Sequence, residues 1–273
     1  MKVSDVAAWW RLRKLVREPW AAGMLRKNRA PGLREIRLLD GGTITIRGGT
    51  PDTQCFHHIF GCDEYGLDAL PPGTIDTVVD VGAHIGLFTV RAAKLARCVI
   101  AIEPVTENFQ LLERNVVGAH LQNVCCRKLC LSEADGTIDI VISGRNDGHS
   151  IYGNLTPSPL SKHGEGAGSE AAAAGSESVP AMTLESIFRS EGIDHCDFLK
   201  LDCEGAEYTA LMNAPREIID RIGRIAMEYH PVPNPAHTGP ALAEHLRSVG
   251  FHVEIRPSKR KPTQGMMFCH RRE

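Results

Sequence analysis

A buried-strand pattern that runs directly into a glycine turn and a helix is the feature that most restricts the fold of this 273-residue chain. Val78 to Gly86 reads Val-Val-Asp-Val-Gly-Ala-His-Ile-Gly, and Phe88 to Leu95 lies in the helix that follows. Glycine has no Cβ and tolerates positive φ, so such a turn lets the backbone approach a ligand closely. The Gly-x-Gly-x-x-Gly pattern of dinucleotide-binding proteins is absent, which weighs against NAD or FAD.

Downstream of Gly73, strand patterns alternate with helical patterns along the chain. This order is typical of a parallel sheet with helices on its faces. The predicted strands are 77–81, 98–102, 124–132, 138–143, 197–201, 224–229, 252–255 and 266–269, and the predicted helices are 88–95, 107–117, 184–190, one after Gly205, and 240–249. The sequence therefore predicts an α/β fold.

The first 70 residues have a different pattern. Val3 to Leu25 predicts a helix broken near Pro19, because proline removes a backbone donor. Alternating segments at 36–38 and 43–47 around a Gly-Gly turn predict a β-hairpin. We therefore divide the chain into residues 1–70, a helical segment with a β-hairpin, and residues 71–273, the main domain.

Residues 156–178 of the main domain are rich in Gly, Ser, Ala, Pro and Glu and contain few large apolar side chains. Such a segment buries too little surface to offset its ordering entropy, so we predict a mobile insertion. Together with the loop at 144–150 it should contact the substrate, because loops carry most of the specificity in such proteins.

Composition indicates which partners and which cellular compartment to expect. The net charge of −2 argues against a nucleic-acid partner, which normally meets a basic surface. The nine cysteines include no Cys-x-x-Cys pair, and neither a signal peptide nor an apolar stretch of transmembrane length is recognisable. These features favour a cytoplasmic protein. They leave the oligomeric state open.

Residues 1–30 contain eight Lys or Arg residues against only two acids, Asp5 and Glu18, and all three tryptophans, Trp9, Trp10 and Trp20. One interpretation is an amphipathic segment that makes peripheral contact with an anionic membrane surface. The other is a helix packed over the main domain or a second subunit. We favour packing, because Arg13 and Arg17 fall close to the apolar stripe.

Glu103-Pro104 falls where the second predicted strand ends, which is the edge at which open α/β sheets bind ligands. A carboxylate at this position can accept hydrogen bonds from the two hydroxyls of a ribose. Ser132, at the end of the third predicted strand, lies at the same edge. The predicted cofactor-binding residues are Asp80, Gly82, Ala83, His84, Gly86, Glu103, Pro104 and Ser132.

Acidic residues and a histidine follow two later strands. Asp202 and Glu204 stand two apart at a strand end, and Glu228 and His230 share one face of the next strand. Glu207 lies at a helix start, where an acid favours the positive end of the helix dipole, so we interpret it as structural. Acids so close together perturb one another's titration or meet a cation or substrate hydroxyls.

These elements, in this order, resemble the FkbM-type methyltransferases of the class I superfamily. The resemblance runs from about Gly73 to Pro231 and depends most on the stretch 199–207. It implies a Rossmann-like sheet, mostly parallel with the last strand antiparallel, and S-adenosylmethionine (SAM) as cofactor. It also implies O-methylation of a hydroxyl on a sugar, glycolipid or secondary metabolite. The chain has His84 where the family usually has Asn, and Glu185 where it usually has Asp.

For the mechanism, the hypothesis is that His230 is the general base, that Glu228 orients it, and that Asp202 and Glu204 bind substrate hydroxyls. No metal is required for methyl transfer, so none is expected. A divalent ion held by Asp202, Glu204, Glu228 and His230 remains the alternative, and these ligands would suit magnesium or manganese.

Two other functions remain to be weighed. A non-catalytic module that binds SAM or a partner would keep the fold, yet it would not need so many acids in one crevice. A nucleotide-dependent oxidoreductase is disfavoured by the missing dinucleotide glycines.

Overall fold

A seven-stranded sheet forms the centre of the protein. A computed structural model describes residues 3–18, 30–71, 73–143 and 173–271. The strands are β1 (Gly32–Arg37), β2 (Thr43–Gly48), β3 (Ile75–Val81), β4 (Ala96–Ile102), β5 (Val124–Arg127), β6 (Cys130–Leu131), β7 (Gly136–Ser143), β8 (Ala173–Met182), β9 (Cys196–Leu201), β10 (Ile222–Tyr229), β11 (Phe251–Pro257) and β12 (Gly265–Arg271). The α-helices are α1 (Val3–Leu12), α2 (Asp52–Phe56), α3 (Leu87–Ala92), α4 (Thr106–Gly118), α5 (Leu184–Ser190), α6 (Ala206–Met212), α7 (Arg216–Asp220) and α8 (Gly239–Ser248).

The order of strands in the central sheet is β11-β12-β10-β9-β3-β4-β5. Neighbouring strands from β10 to β5 are parallel, whereas β12 is antiparallel to both β10 and β11. The predicted fold class, with the last strand antiparallel, is confirmed. Chain direction brings the carboxyl ends of β3, β4, β9 and β10 to one edge of the sheet.

Apolar runs explain why the central strands form. Val78, Val79 and Val81 of β3 are almost completely buried, as are Leu199 and Leu201 of β9. Strands covered on both faces need continuous β-branched and aliphatic residues, which these runs supply. The strands are therefore rigid supports for the loops that follow them.

The N-terminal hairpin packs against the main domain. Strand β1 pairs with β2 in antiparallel register, with Ile36 opposite Ile44. Asn115 of α4 is buried and joins the two parts: its side chain accepts from the Thr45 amide (2.6 Å) and donates to the carbonyls of Thr45 (3.0 Å) and Ile85 (2.7 Å). Residues 1–70 and 71–273 thus share a hydrogen-bonded contact.

Helix α1 ends earlier than predicted. It stops at Leu12, and Val16 bridges to Leu38 instead of continuing the helix. Residues 19–25 of the predicted helix lie outside the described residues. Ala8 and Leu12 are buried against the domain, which is the packing that we favoured, while Trp9 and Trp10 are 38% and 54% exposed. The membrane contact stays a prediction.

A short irregular segment between the hairpin and β3 was not predicted. Helix α2 continues as a turn of π-helix at His57–Cys62, and a 3-10 turn follows at Leu67–Ala69. The rings of Phe56 and Phe60 stack 4.7 Å apart inside it. This segment brings Tyr65 to the edge of the sheet where the site lies.

Two predictions for the middle of the chain were wrong in part. The single strand at 124–132 is two strands, because β5 joins the central sheet while β6 pairs with β8 in a small sheet ordered β6-β8-β7. Residues 173–178 of the predicted insertion belong to β8, which pairs with β7. Residues 156–172 of the insertion and the loop 144–150 lie outside the described residues.

None of the helices in the described part of the chain is long and apolar enough to cross a membrane.

Candidate active site

The glycine turn after β3 is packed directly against the strand end of β9. Gly82 has φ +71°, and a Cβ built on it would lie 1.8 Å from the carbonyl oxygen of Asp202. Gly86 has φ +81°, and a Cβ there would lie 2.5 Å from Leu112. Only glycine fits both constraints at these positions. The amide of Ala83 donates to the carbonyl of Ile102 at the end of β4 (2.9 Å) and fixes the turn beside that strand.

A buried ion pair lies under the turn. Asp80 is completely buried, accepts from the Thr89 hydroxyl (2.5 Å) and pairs with the ammonium of Lys200 (3.1 Å). Lys200 also donates to the carbonyls of Val81 (3.2 Å) and Gly82 (2.6 Å). Burial alone would lower the pKa of Lys200, but Asp80 and then Asp202 raise it above its usual value. Asp80 therefore supports the turn from below and does not face the crevice.

Glu103 lies at the end of β4, beside the turn, and only 3% of it is exposed. Its carboxylate accepts from the amides of His84 (2.9 Å) and Val105 (3.1 Å) and from the side chain of Asn108 (3.2 Å). Burial raises its pKa, against these hydrogen bonds. A carboxylate offers about four acceptor positions. Three are used, so one remains for a ligand hydroxyl.

Sequence analysis missed a polar network on the outer side of Glu103. Arg47 binds both oxygens of Asp52 (2.9 and 3.0 Å) and donates to Asn108 (2.8 Å), which in turn holds Glu103. His84 has φ +53°, and its ring lies 3.0 Å from Arg47. The two hairpin-side residues, Arg47 and Asp52, carried no motif, so no sequence signal linked them to this site.

The other predicted cofactor residues lie at the same edge or close to it. Pro104 follows Glu103 and is buried. Ser132 follows β6, is 8% exposed, and its amide donates to the carbonyl of Met182 (2.9 Å). The turn and Glu103 are thus joined through the His84 amide, and Ser132 is held by the small sheet.

Acidic side chains surround His230 on the opposite side of the turn. The imidazole Nε2 lies 3.8 Å from a carboxylate oxygen of Asp202 and 3.8 Å from one of Glu204. Glu228 points to the same place, since one oxygen each of Asp202 and Glu228 and a ring nitrogen of His230 all lie within 4.8 Å of one another. The structure brings together all four predicted catalytic residues.

Glu207 orients the histidine. One of its oxygens accepts from the His230 amide (2.8 Å) and lies 3.2 Å from Nδ1 of the ring, and the other accepts from the Gly205 amide (2.8 Å). Glu228 instead accepts from Gln264 (2.6 Å). The prediction that Glu228 orients His230 was therefore wrong. The structural interpretation of Glu207 fits its contact with the Gly205 amide at the helix start, and its contact with His230 is a second role that was not predicted.

The charges in this cluster shift one another. Burial alone would lower the pKa of His230, but the hydrogen bond and charge of Glu207, followed by Asp202 and Glu204, raise it to about 9. Burial raises the pKa of Glu204 to about 7, against the opposing effect of His230. Burial and then Asp202 raise the pKa of Glu228. A group of acids this crowded favours a bound cation or a shared proton.

The loop that carries the cluster is held in an uncommon conformation. Glu204 has φ +52°, a region that non-glycine residues adopt rarely, and Gly205 follows with φ +109°. Tyr65, from the irregular segment, donates from its hydroxyl to Asp202 (2.9 Å). Strained residues of this kind persist where the surroundings fix them, and they cluster at functional sites.

Comparison with known proteins gives three similarities. The family model for the methyltransferase FkbM domain matches residues 80–253. The methyltransferase sdnD of Sordaria araneosa is 26% identical, in a match that covers 80% of this chain and 89% of that protein. The AMB antimetabolite synthetase AmbE of Pseudomonas aeruginosa is 26% identical, in a match that covers 81% of this chain but only 12% of the synthetase.

Among solved structures, a crystal structure of a methyltransferase FkbM from Methylobacillus flagellatus KT matches with a TM-score of 0.50 and 14% identity. The match covers 97% of this chain and 59% of that chain. At this identity the likeness concerns the fold alone. The motifs from Asp80 to His230 all lie inside the matched family region.

Proposed function

Because this chain belongs to the FkbM methyltransferase family, we propose that it transfers the methyl group of SAM to a hydroxyl oxygen. One observation carries the proposal: the Asp202 carbonyl packs on Gly82, so the ligand-binding turn and the acid–histidine cluster share one contact. A cofactor on the turn and an acceptor on the cluster would then lie next to each other.

The free acceptor position on Glu103 supports SAM as the cofactor. A ribose hydroxyl can donate to it, while the backbone of the glycine turn approaches the rest of the molecule. Oxygen acceptors at this strand end suit a ribose, and the missing dinucleotide glycines still weigh against NAD. In this arrangement His84 acts through its backbone, because its amide donates a hydrogen bond to Glu103 (2.9 Å) and so holds the carboxylate in place.

The acid–histidine cluster supports a hydroxyl as the methyl acceptor. Methyl transfer is an in-line displacement in which an oxygen lone pair forms the new O–CH3 bond while the S–CH3 bond breaks. The bonding electrons return to sulfur, which gives neutral S-adenosylhomocysteine, and the hydroxyl proton passes to the cluster. Asp202, Glu204, Glu228 and His230 form the set that binds the hydroxyl and takes up its proton.

For the acceptor we propose a sugar, a glycolipid or a secondary metabolite, since several neighbouring carboxylates suit a molecule with more than one hydroxyl. The relative AmbE is an antimetabolite synthetase by name, which agrees with secondary metabolism. We also propose a cytoplasmic location, because an odd number of cysteines with no Cys-x-x-Cys pair is typical of a protein from a reducing compartment.

Calorimetric titration of the full chain with SAM, S-adenosylhomocysteine and NAD tests the cofactor. We expect saturable binding of the first two at one site per chain and no heat from NAD. Binding of NAD alone would point to an oxidoreductase and contradict the proposal.

Transfer of labelled methyl separates an enzyme from a binding module of the same fold. The chain is incubated with methyl-labelled SAM and an extract of glycolipids and metabolites, and label in the products is counted. We expect label in a product and equal release of S-adenosylhomocysteine. Tight SAM binding with no transfer to any extract fraction would favour the non-catalytic module.

A further inference from the structure

The donor atoms around His230 have the composition and spacing of a divalent-cation site. Asp202 and Glu228 each offer a carboxylate oxygen and His230 a ring nitrogen, and these atoms lie within 4.8 Å of one another. A single ion between them could therefore reach all three ligands with small side-chain movements. Two oxygens and one nitrogen, with positions left for water or a substrate oxygen, suit magnesium or manganese.

The orientation of His230 is a second, independent observation. Its side chain is only 8% exposed, and Glu207 holds Nδ1 at 3.2 Å. The other nitrogen, Nε2, faces Asp202 and Glu204 at 3.8 Å and makes no hydrogen bond to any residue that the structure describes. Metal-binding histidines commonly have this arrangement, in which a carboxylate fixes one ring nitrogen and leaves the other for the ion.

The excess of carboxylates around His230 also favours a bound cation. The carboxylates of Asp202, Glu204, Glu207 and Glu228 lie around a single imidazole. Two of them also accept hydrogen bonds from neutral groups, Tyr65 to Asp202 and Gln264 to Glu228. Partly buried carboxylates need a compensating cation.

We propose that Asp202, Glu228 and His230 bind one divalent cation, Mg²⁺ or Mn²⁺, and that this ion coordinates the acceptor hydroxyl. Binding of the ion is independent of the reaction, whereas its role toward the hydroxyl rests on the proposed methyl transfer. Coordination lowers the pKa of a bound oxygen ligand and fixes it near the cofactor. Glu204 is left as a carboxylate beside the ion and takes up the proton that the acceptor hydroxyl loses, and Glu207 is the positioning residue that keeps Nε2 available.

Manganese binding to the full chain tests the site directly. The protein is treated with chelator, desalted and titrated with MnCl2, and free Mn²⁺ is followed by electron paramagnetic resonance. We expect one site per chain. Asp202→Asn and Glu228→Gln keep the side-chain shape and should each weaken Mn²⁺ binding at least tenfold, with unfolding curves to show that they fold. Glu244→Gln, which removes an exposed charge (81% exposed) away from the cluster, should bind as the unmodified chain does.

The outcomes distinguish failure of the metal site from failure of the proposed methyl transfer. No Mn²⁺ binding, or equal loss in Glu244→Gln and the cluster variants, would overturn the metal site. Labelled methyl transfer that survives chelation would leave the methyltransferase proposal intact and return His230 to the role of direct base. Specific Mn²⁺ binding in a chain that transfers no methyl group would keep the site and remove the proposed function. Loss of transfer on chelation, with recovery on added Mn²⁺, would support both.

Discussion

Gly82 joins the two halves of the site, because the Asp202 carbonyl occupies the place of its missing side chain. Gly82→Ala should force the turn away from β9, reduce the affinity for SAM and destabilise the fold by about 1–3 kcal/mol, the usual range for overpacking. Thermal unfolding and SAM titration measure both effects. Gly73→Ala is the matched control, since Gly73 has φ +74° but nothing within 4 Å of the added Cβ. Equal losses in the two variants would mean that φ, and not the contact, matters.

Glu103 is the residue that we propose accepts a hydrogen bond from the cofactor, because the described residues use only three of its acceptor positions. Glu103→Gln puts an NH2 group against backbone amides and removes the charge, so SAM affinity should fall about tenfold or more, as expected for a hydrogen bond to a charged group. Calorimetry measures the change. Glu113→Gln, an exposed change on the same helix as Asn108, serves as the control. Unchanged SAM affinity in Glu103→Gln would contradict the assignment.

Lys200 holds the turn from below and balances the buried Asp80. Lys200→Met should leave that carboxylate without its partner and cost about 3–5 kcal/mol of unfolding free energy. Adding Asp80→Asn to Lys200→Met should recover part of the loss, because the unpaired charge is gone. Urea unfolding measures the series. A double variant that is less stable than Lys200→Met would contradict this account of the pair.

For individual residues, the sequence identified the members of the cluster but not which of them contact each other. Asp202, Glu204, Glu228 and His230 were recognisable because they lie in dense motifs at the ends of two strands. That Glu207 and not Glu228 holds His230 depends on how the chain turns back after β10, which spacing alone does not reveal. This relation is one reason why we propose a metal site, whereas the sequence favoured His230 as a direct base.

At the scale of elements, helix α4 joins the hairpin to the main domain through Asn115. Asn115→Leu should leave the Thr45 amide and two carbonyls without partners, at about 1–3 kcal/mol for each buried group that finds no replacement. Urea unfolding measures the loss. Val117→Ala, on the same helix and 73% exposed, should change stability by less than about 0.5 kcal/mol. A stable Asn115→Leu variant would mean that the hairpin is held by its apolar contacts alone.

The elements that the sequence identified are those whose own residues form a clear pattern of apolar side chains. The strands of the central sheet have continuous apolar runs, so β3, β4, β9 and β10 were found. Ala173–Met182 forms a strand by pairing with β7, which is distant in sequence, so its own residues carry no strand pattern and the end of the predicted insertion was misplaced. The π-helical turn at His57–Cys62, beside the stacked rings of Phe56 and Phe60, was also missed.

At the scale of the whole molecule, the sheet brings the carboxyl ends of β3, β4, β9 and β10 to one edge. The ends of β3 and β4 carry the residues that we propose bind the cofactor, and the ends of β9 and β10 carry the acids and His230. The two sets of residues meet at Gly82 and Asp202. We propose that this contact places the two ligands next to each other for transfer of the methyl group.

Mass spectrometry with trideuteromethyl-SAM tests this central claim most directly. The full chain is incubated with the labelled cofactor, Mn²⁺ and a metabolite extract, and products are compared with those of a Glu103→Gln reaction. The account predicts at least one hydroxyl-bearing compound that gains an intact trideuteromethyl group on oxygen, and less of that product with Glu103→Gln at the same concentration of cofactor. Label on nitrogen or carbon, or no labelled product although SAM is bound, would contradict it.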